Sequence, residues 1–222
     1  MSIDKQADAS VPTGIQVRDL GLVEYEPTWR AMQDFTRQRG PTTPDEIWYL
    51  QHPPVFTLGH NTKPEHLINP GEIPVIQIDR GGQVTYHGPG QLVAYLLLDL
   101  HRRRSGVKLL VKQMEQAMIE LLAEYDIPAS RLAGAPGIYV DGSKIAALGL
   151  RIRRGMSYHG LALNVDMALA PFGRINPCGY ANMPVTQIAD HCGNRPIPGL
   201  NEVQQRLHHH LLQQLGYNGG HE

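Results

Sequence analysis

Four glycines, Gly81, Gly82, Gly88 and Gly90, fall within the stretch Arg80-Gly81-Gly82-Gln83-Val84-Thr85-Tyr86-His87-Gly88-Pro89-Gly90-Gln91-Leu92. An apolar run, Val75 to Ile78, enters this stretch, and a second, Leu92 to Leu98, leaves it. Glycine loses more backbone entropy on folding than any other residue. A cluster of them between two strand-like runs therefore requires tight turns or close approach of the backbone to a ligand. A sharp connection with Gly88-Pro89-Gly90 at its tip would meet the first requirement. The loop also carries Arg80, Gln83, Thr85, Tyr86 and His87, more polar chemistry than a turn needs, and this marks it as a candidate site wall.

The chain has 222 residues, 41% hydrophobic and 18% charged, enough to bury a sizeable core. A formal net charge of −1 argues against broad electrostatic binding to nucleic acid or to an anionic membrane. No run approaches the length of a membrane span, and the N-terminus lacks an apolar signal core. Met1 to Thr13 is polar and aperiodic and reads as a disordered extension, leaving 14–222 as a single domain. Two cysteines, Cys178 and Cys192, are too few for a disulfide framework and point to free thiols in a cytoplasmic protein.

Ile15 to Leu20 reads as a first strand. Pro27 suits an early helical position, and Trp29, Met32 and Phe35 give a helical spacing that ends at Gly40. Ile47–Leu50, Val55–Leu58 and Val75–Asp79 read as strands, and His60–Pro70 as a loop with one helical turn. Gln91–Leu100 is apolar enough to be a strand buried on both faces. Val107–Tyr125 is the clearest helix, with Leu110, Met114, Met118 and Leu121 on one face as core filler. From Gly137 the pattern becomes a meander: a strand to Val140, a turn at Asp141-Gly142, strands Lys144–Arg153 and Ser157–Val165. Ala168–Tyr180 is irregular, and Asn201–Leu215 closes the chain as a helix. The fold class is α+β, a mostly antiparallel or mixed sheet flanked by helices, with a small helical C-terminal lobe as a variant.

Eleven histidines invite a metal, yet no pair has the spacing of a zinc hydrolase, and His191 and Cys192 are adjacent, so the spacings predict no metal site. The glycine loop lacks the Gly-Lys-Ser/Thr ending of a phosphate cradle. Nucleophilic catalysis needs a thiolate, a hydroxyl beside a base, or an activated amine. Cys178, in Asn176-Pro177-Cys178-Gly179, is open to two readings: a reactive thiol, or a small buried hydrophobe. Lys144, just after an Asp-Gly turn, reads in isolation as a solvated strand residue.

Three blocks together, Arg80 to His87, Gly142-Ser-Lys-Ile-Ala-Ala-Leu-Gly149 and Asn176-Pro-Cys-Gly179, resemble the lipoyl(octanoyl) transferase family. His159-Gly160-Leu161-Ala162-Leu163-Asn164 resembles a fourth. The likeness covers roughly residues 15 to 215, with one departure at Val185-Thr186-Gln187-Ile188, where the family more often shows a Val-Thr-Ser-Leu-like run. It implies a fold like that of biotin and lipoate protein ligases. It also implies transfer of an octanoyl group from acyl carrier protein to a lysine of lipoyl domains in 2-oxo-acid dehydrogenases or of the glycine-cleavage H protein. The implied mechanism has an acyl-thioester on Cys178, Lys144 as acid–base partner, and no cofactor, ATP or metal. By the same resemblance the acyl site is lined by Arg80, Gly81, Gly82, Gln83, Val84, Thr85, Tyr86 and His87, by Ala147, Leu148 and Gly149, and by Gly160, Leu161 and Ala162. His87 and His159 are read as site-shaping residues, each equally readable as a core histidine. Competing readings are an ATP-dependent lipoate or biotin ligase, and a non-catalytic acyl or lipoyl-domain binding module. Two basic clusters, Arg102 to Arg104 and Arg151, Arg153 and Arg154, read as solvated strand ends or as a face for an acidic carrier protein.

Overall fold

In the computed structural model, which describes residues 14–176 and 183–217, the strands run β1 (Ile15–Leu22), β2 (Asp45–Gln51), β3 (Val55–Leu58), β4 (Val75–Gln77), β5 (Val84–His87), β6 (Gln91–Leu97), β7 (Ser130–Leu132), β8 (Ala135–Val140), β9 (Ser143–Arg153) and β10 (Met156–Asn164). The helices are α1 (Tyr25–Gln38), α2 (Val107–Ala123) and α3 (Leu200–Leu215). Seven strands form one sheet in the order β1-β2-β6-β10-β9-β8-β7, and β4-β3-β5 form a second. Among the described strands only β1–β2 and β3–β4 pair in parallel, so the sheets are mixed but mostly antiparallel.

Strand β6 lies inside the large sheet between β2 and β10, and every one of its residues is buried, as its continuous apolar run requires. Strand alternation divides its side chains between two layers. Leu92, Ala94 and Leu96 face a cluster with Met114, Met118, Leu121 and Leu122 of α2 and Val203, Leu207 and Leu211 of α3. Val93, Tyr95 and Leu97 face the other way, toward Met32, Trp29 and Phe35 of α1. The methionines of α2 are therefore core filler, as their spacing predicts.

Two hairpins of the meander turn through residues with positive φ at both positions: Asp141 (48°) with Gly142 (78°), and Arg154 (49°) with Gly155 (76°). Those values match the right-handed twist of the flanking strands, which is why Asp-Gly is a strong hairpin signal.

The structure departs from the sequence expectations at several points. The glycine-rich stretch is not all loop, since Val84–His87 is strand β5, pairing antiparallel with β3 from Val55↔His87 to Leu58↔Val84. Valine, threonine and tyrosine suit a pleated, half-buried surface, and β3 offers an unpaired edge. Helix α2 ends at Ala123, because Asp126 turns to φ 57° and the Ile127 N–H folds back onto the Leu122 carbonyl. Helix α3 forms no separate lobe. Its apolar side is sunk into the α2 cluster, and Gln214 donates to Glu120 (2.8 Å). Arg102 is no solvated strand end, since its guanidinium meets Asp45 at 2.6 Å together with the Thr43 carbonyl at 3.0 Å. Arg103 lies over the Tyr217 ring, 4.7 Å from its centroid. Among the described residues no helix is long and apolar enough to cross a membrane.

Candidate active site

A cavity opens between the small sheet and the α1-facing side of the large sheet. Its floor comes from three neighbouring strands whose register aligns Ala147 with Ala162 and Val93, and Gly149 with Gly160 and Tyr95. The small residues there serve two purposes. The alanines border the cavity, whereas Gly149 is filled from above, because a Cβ there would stand 2.9 Å from Arg80 Cδ. Gly160 has no space for a side chain at all, its Cβ position lying 2.0 Å from the Ala94 carbonyl oxygen. The opposite wall is β5 and the turn before it, through Gly82, Gln83, Thr85 and His87.

Arg80, Gly82, Gln83, Val84, Thr85, His87, Lys144, Ala147, Leu148, Gly149, His159, Gly160, Leu161 and Ala162 all border this cavity. Two members of the sequence-derived set do not. Tyr86 packs between Phe56 and Phe172, with ring centroids at 5.4 Å from each, and Gly81 spends its N–H on the Leu150 carbonyl (2.9 Å). Cys178 lies outside the described residues. Sequence reasoning missed Tyr25, Tyr95, Gln91, Asn164, Phe172 and Val185, which also line the cavity. Gln91 and Asn164 stood inside quoted motifs and carried a signal. Tyr25, at the first residue of α1, carried none.

Lys144 reaches the cavity by a local irregularity. Lys144 and Ala147 are three residues apart, so a regular strand would turn them to opposite faces. The β8–β9 ladder pairs Ile138 with Ala146 but Tyr139 with Lys144, leaving Ile145 as an extra residue. This bulge sets Lys144 on the same face as Ala147, the re-aiming that bulges perform beside sites. The side chain is buried, at 4% exposure, with Nζ 5.4 Å from the Tyr139 ring centroid. Lys144 is not the solvated strand residue that its turn position suggests. Its backbone N–H donates to the Pro184 carbonyl (2.8 Å), and its carbonyl accepts from Thr186 N–H (3.0 Å). The segment Pro184 to Thr186 is thus stitched alongside Lys144.

A chain of buried polar side chains runs under the cavity. His87 Nδ1 meets Gln91 Oε1 at 2.7 Å, Gln91 Nε2 donates to Asn164 Oδ1 (2.9 Å), and Asn164 Nδ2 donates to the Thr186 carbonyl (2.9 Å). His52 Nδ1 faces the Val23 carbonyl and Nε2 the Tyr95 hydroxyl, each at 2.7 Å. The carbonyl can only accept, so His52 is protonated at Nδ1 and takes the tyrosine proton at Nε2. Near the loop, Asp79 accepts from Trp29 Nε1 (2.8 Å), Gln33 (3.1 Å), His159 Nε2 (3.1 Å) and the Tyr158 hydroxyl. Burial works to raise its pKa, but these donors outweigh burial and hold it well below the usual carboxylate range. His159 is held at φ 60°, a strained value for a side chain of its size, and burial keeps its pKa low despite Asp79. Arg80 is anchored by the Thr57 carbonyl (2.8 Å) and hydroxyl (2.9 Å).

Burial pushes His52 down to about 4, and burial with the neighbouring His52 pushes His87 down to about 3. Both are neutral in the folded protein at neutral pH, and both take up protons on unfolding below the ordinary histidine value of 6.5. With depressed folded values, their contribution to stability is complete above pH 6.5 and is lost as pH falls toward about 4 for His52 and about 3 for His87. The melting temperature should therefore fall across that window, and His52→Gln should flatten the fall. An unchanged slope in the variant would remove His52 from this account.

Among the described residues, no group of three or more His, Cys, Asp or Glu is placed to hold a metal ion. The arrangement offers a buried amine beside a largely apolar slot floored by two alanines. Such a slot suits an acyl chain, and such an amine suits proton transfer at the slot's reactive end.

Comparison with known proteins places this geometry. The family described as the lipoyl protein ligase A/B catalytic domain matches residues 24–212. An octanoyltransferase of Pseudomonas fluorescens strain Pf-5 is 60% identical over 207 residues, covering 93% of this chain and 95% of that protein. One from Azotobacter vinelandii is 62% identical over 203 residues, covering 91% and 92%. Among solved structures, a bipartite lipoate protein ligase of Thermoplasma acidophilum superposes with a TM-score of 0.69 at 14% identity, covering 94% of this chain and 87% of that one. The biotin protein ligase of Aquifex aeolicus follows at 0.56 and 11%, covering 90% and 70%. At those identities the likeness is one of fold.

Proposed function

The chain belongs to the lipoyl protein ligase A/B catalytic-domain family and, within it, to the octanoyltransferases, and from that premise we propose how its residues divide the chemistry of octanoyl transfer in protein lipoylation. The donor is octanoyl-acyl carrier protein, and the acceptors are lysines of lipoyl domains and of the glycine-cleavage H protein. Both half-reactions proceed in the cytoplasm, where thiols stay reduced.

Cys178 is the nucleophile. Its sulfur attacks the donor thioester carbonyl, the carbonyl electrons move onto oxygen, and their return expels the carrier thiolate. Lys144 takes the Cys178 proton and delivers it to the departing carrier thiol. In the second half, Lys144 accepts a proton from the incoming lysine amine as that nitrogen attacks the acyl-enzyme carbonyl, and returns it to the Cys178 sulfur as the amide forms. The observation that carries this reading is the bulge that turns buried Lys144 onto the cavity face. The acyl chain lies along Ala147 and Ala162, with Leu161 and Phe172 beside it.

The test is to mix the protein with octanoyl-acyl carrier protein, without ATP, and measure intact mass followed by peptide mapping. An octanoyl adduct on Cys178 is the expected result. Transfer that requires ATP and free octanoate, with no adduct on the enzyme, would replace this reading with that of a ligase. Tight binding of the donor with no transfer would make the protein a binding module.

A further inference from the structure

Among the described glycines, Gly137 has the closest bearing on Lys144. It lies on β8, next to Ile138 and Tyr139, whose partners on β9 flank the bulge at Ile145. A Cβ at Gly137 would stand 2.5 Å from Lys144 Cε, 3.1 Å from Nζ and 2.8 Å from the Ala146 carbonyl oxygen. The end of the lysine side chain therefore lies across a bare α-carbon. Other positive-φ glycines, Gly21, Gly134 and Gly142, have nothing within 4 Å of the corresponding point, so a conformational demand alone accounts for them. Gly137 meets such a demand too, at φ 142°, but it also leaves a space that one particular side chain fills. The position is held firm: Gly137 N–H donates to Glu115 Oε1 (3.3 Å), and the same carboxylate accepts from Arg131 (2.9 Å). On the same strand, the Tyr139 ring faces Nζ.

We infer that Gly137 and Tyr139 are positioning residues for Lys144, the bare α-carbon forming the berth of its stem and the ring fixing its Nζ end. The role rests on the reading of Lys144 as the acid–base group. Any side chain at Gly137 displaces Nζ from its place beside the cavity, and displacements of about 1 Å can cost about 100-fold in rate.

The test is a double-mutant cycle, read both in enzyme acylation rate and in melting temperature. Gly137→Ala should slow acylation about 10- to 100-fold in the wild-type background and less than about twofold in a Lys144→Ala background, because residues acting through one group are not additive. The surviving activity should have a pH profile resembling that of Lys144→Ala, which loss of stability alone would not produce. Lys144→Ala should also restore part of the melting temperature lost to Gly137→Ala, since Cε and Nζ are gone while the Ala146 carbonyl oxygen remains. An equal rate loss in both backgrounds, or no loss in the first, overturns the inference. If Gly137→Ala does not fold, Tyr139→Leu takes its place in the same cycle and must show the same non-additivity. Should Lys144→Ala acylate at the wild-type rate, the acid–base reading fails, while the melting-temperature coupling still tests the berth on its own.

Discussion

Cys178→Ala is expected to form no octanoyl-enzyme and to lose transfer by about 1,000-fold or more, as removal of a covalent nucleophile does elsewhere. Cys178→Ser should fare little better, because a serine hydroxyl is far less acidic than a thiol and a nearby amine cannot ionise it to a useful extent. The chain contains its own control. Cys192 is 7% exposed, its Sγ–H donates to the Ile188 carbonyl (3.4 Å), and it belongs to the α2–α3 cluster on the side of the sheet away from the cavity. Cys192→Ala should therefore retain octanoyl-enzyme formation at close to the native rate. Rapid-quench intact-mass measurements on the three variants decide the matter, and an octanoyl adduct that persists in Cys178→Ala would sink the nucleophile assignment.

Much of the fold was legible because burial writes itself into periodicity. Gln91 to Leu97 is apolar at every other position on both faces and had to be central, while α2 and α3 carried single apolar stripes that had to meet a sheet. The failures have local physical causes. Val84–His87 was hidden inside a glycine-rich stretch, and its pairing depends on β3, some thirty residues upstream, which no local pattern announces. The glycines themselves divide by purpose. At Gly90 a Cβ would stand 1.8 Å from the Asp166 carbonyl oxygen, so the close approach there is to the protein's own backbone and not to a ligand. Arg80, Thr85 and His87 border the cavity, but Tyr86, read together with them, does not, because strand alternation turns it to Phe56 and Phe172 instead. Lys144 shows the limit most clearly. Strict alternation from Ala147 would send it toward the helices, and the bulge at Ile145 that reverses this has no signature in the sequence. Tyr25 on α1, His52 just past β2 and Tyr95 on β6 are far apart in sequence and meet only in the folded chain. Their individual positions carried no hint of the network.

Lys144→Ala should slow both half-reactions by about 100- to 10,000-fold, the range typical of a positioned general acid–base group. The two halves should respond differently to pH. In the first, the lost function is removal of a thiol proton. A thiol of ordinary pKa, about 8.5, ionises without help as pH rises past that value, so the acylation defect should shrink through roughly pH 8 to 9.5. In the second, the nucleophile is an acceptor lysine with an ordinary pKa near 10.4, so the defect should persist through the same range. Lys144→Arg sharpens the distinction between charge and proton transfer. Arginine keeps a cation at the site but holds its proton at any accessible pH, so it should preserve whatever Lys144 contributes by charge and restore none of its proton transfer. A variant close to the alanine in rate marks proton transfer as the role, and one close to the wild type marks electrostatic stabilisation. Single-turnover acylation, measured apart from transfer out of a preformed octanoyl-enzyme, separates the two halves. Equal pH dependence in both, or native rates in Lys144→Ala, would take the acid–base role away from this residue.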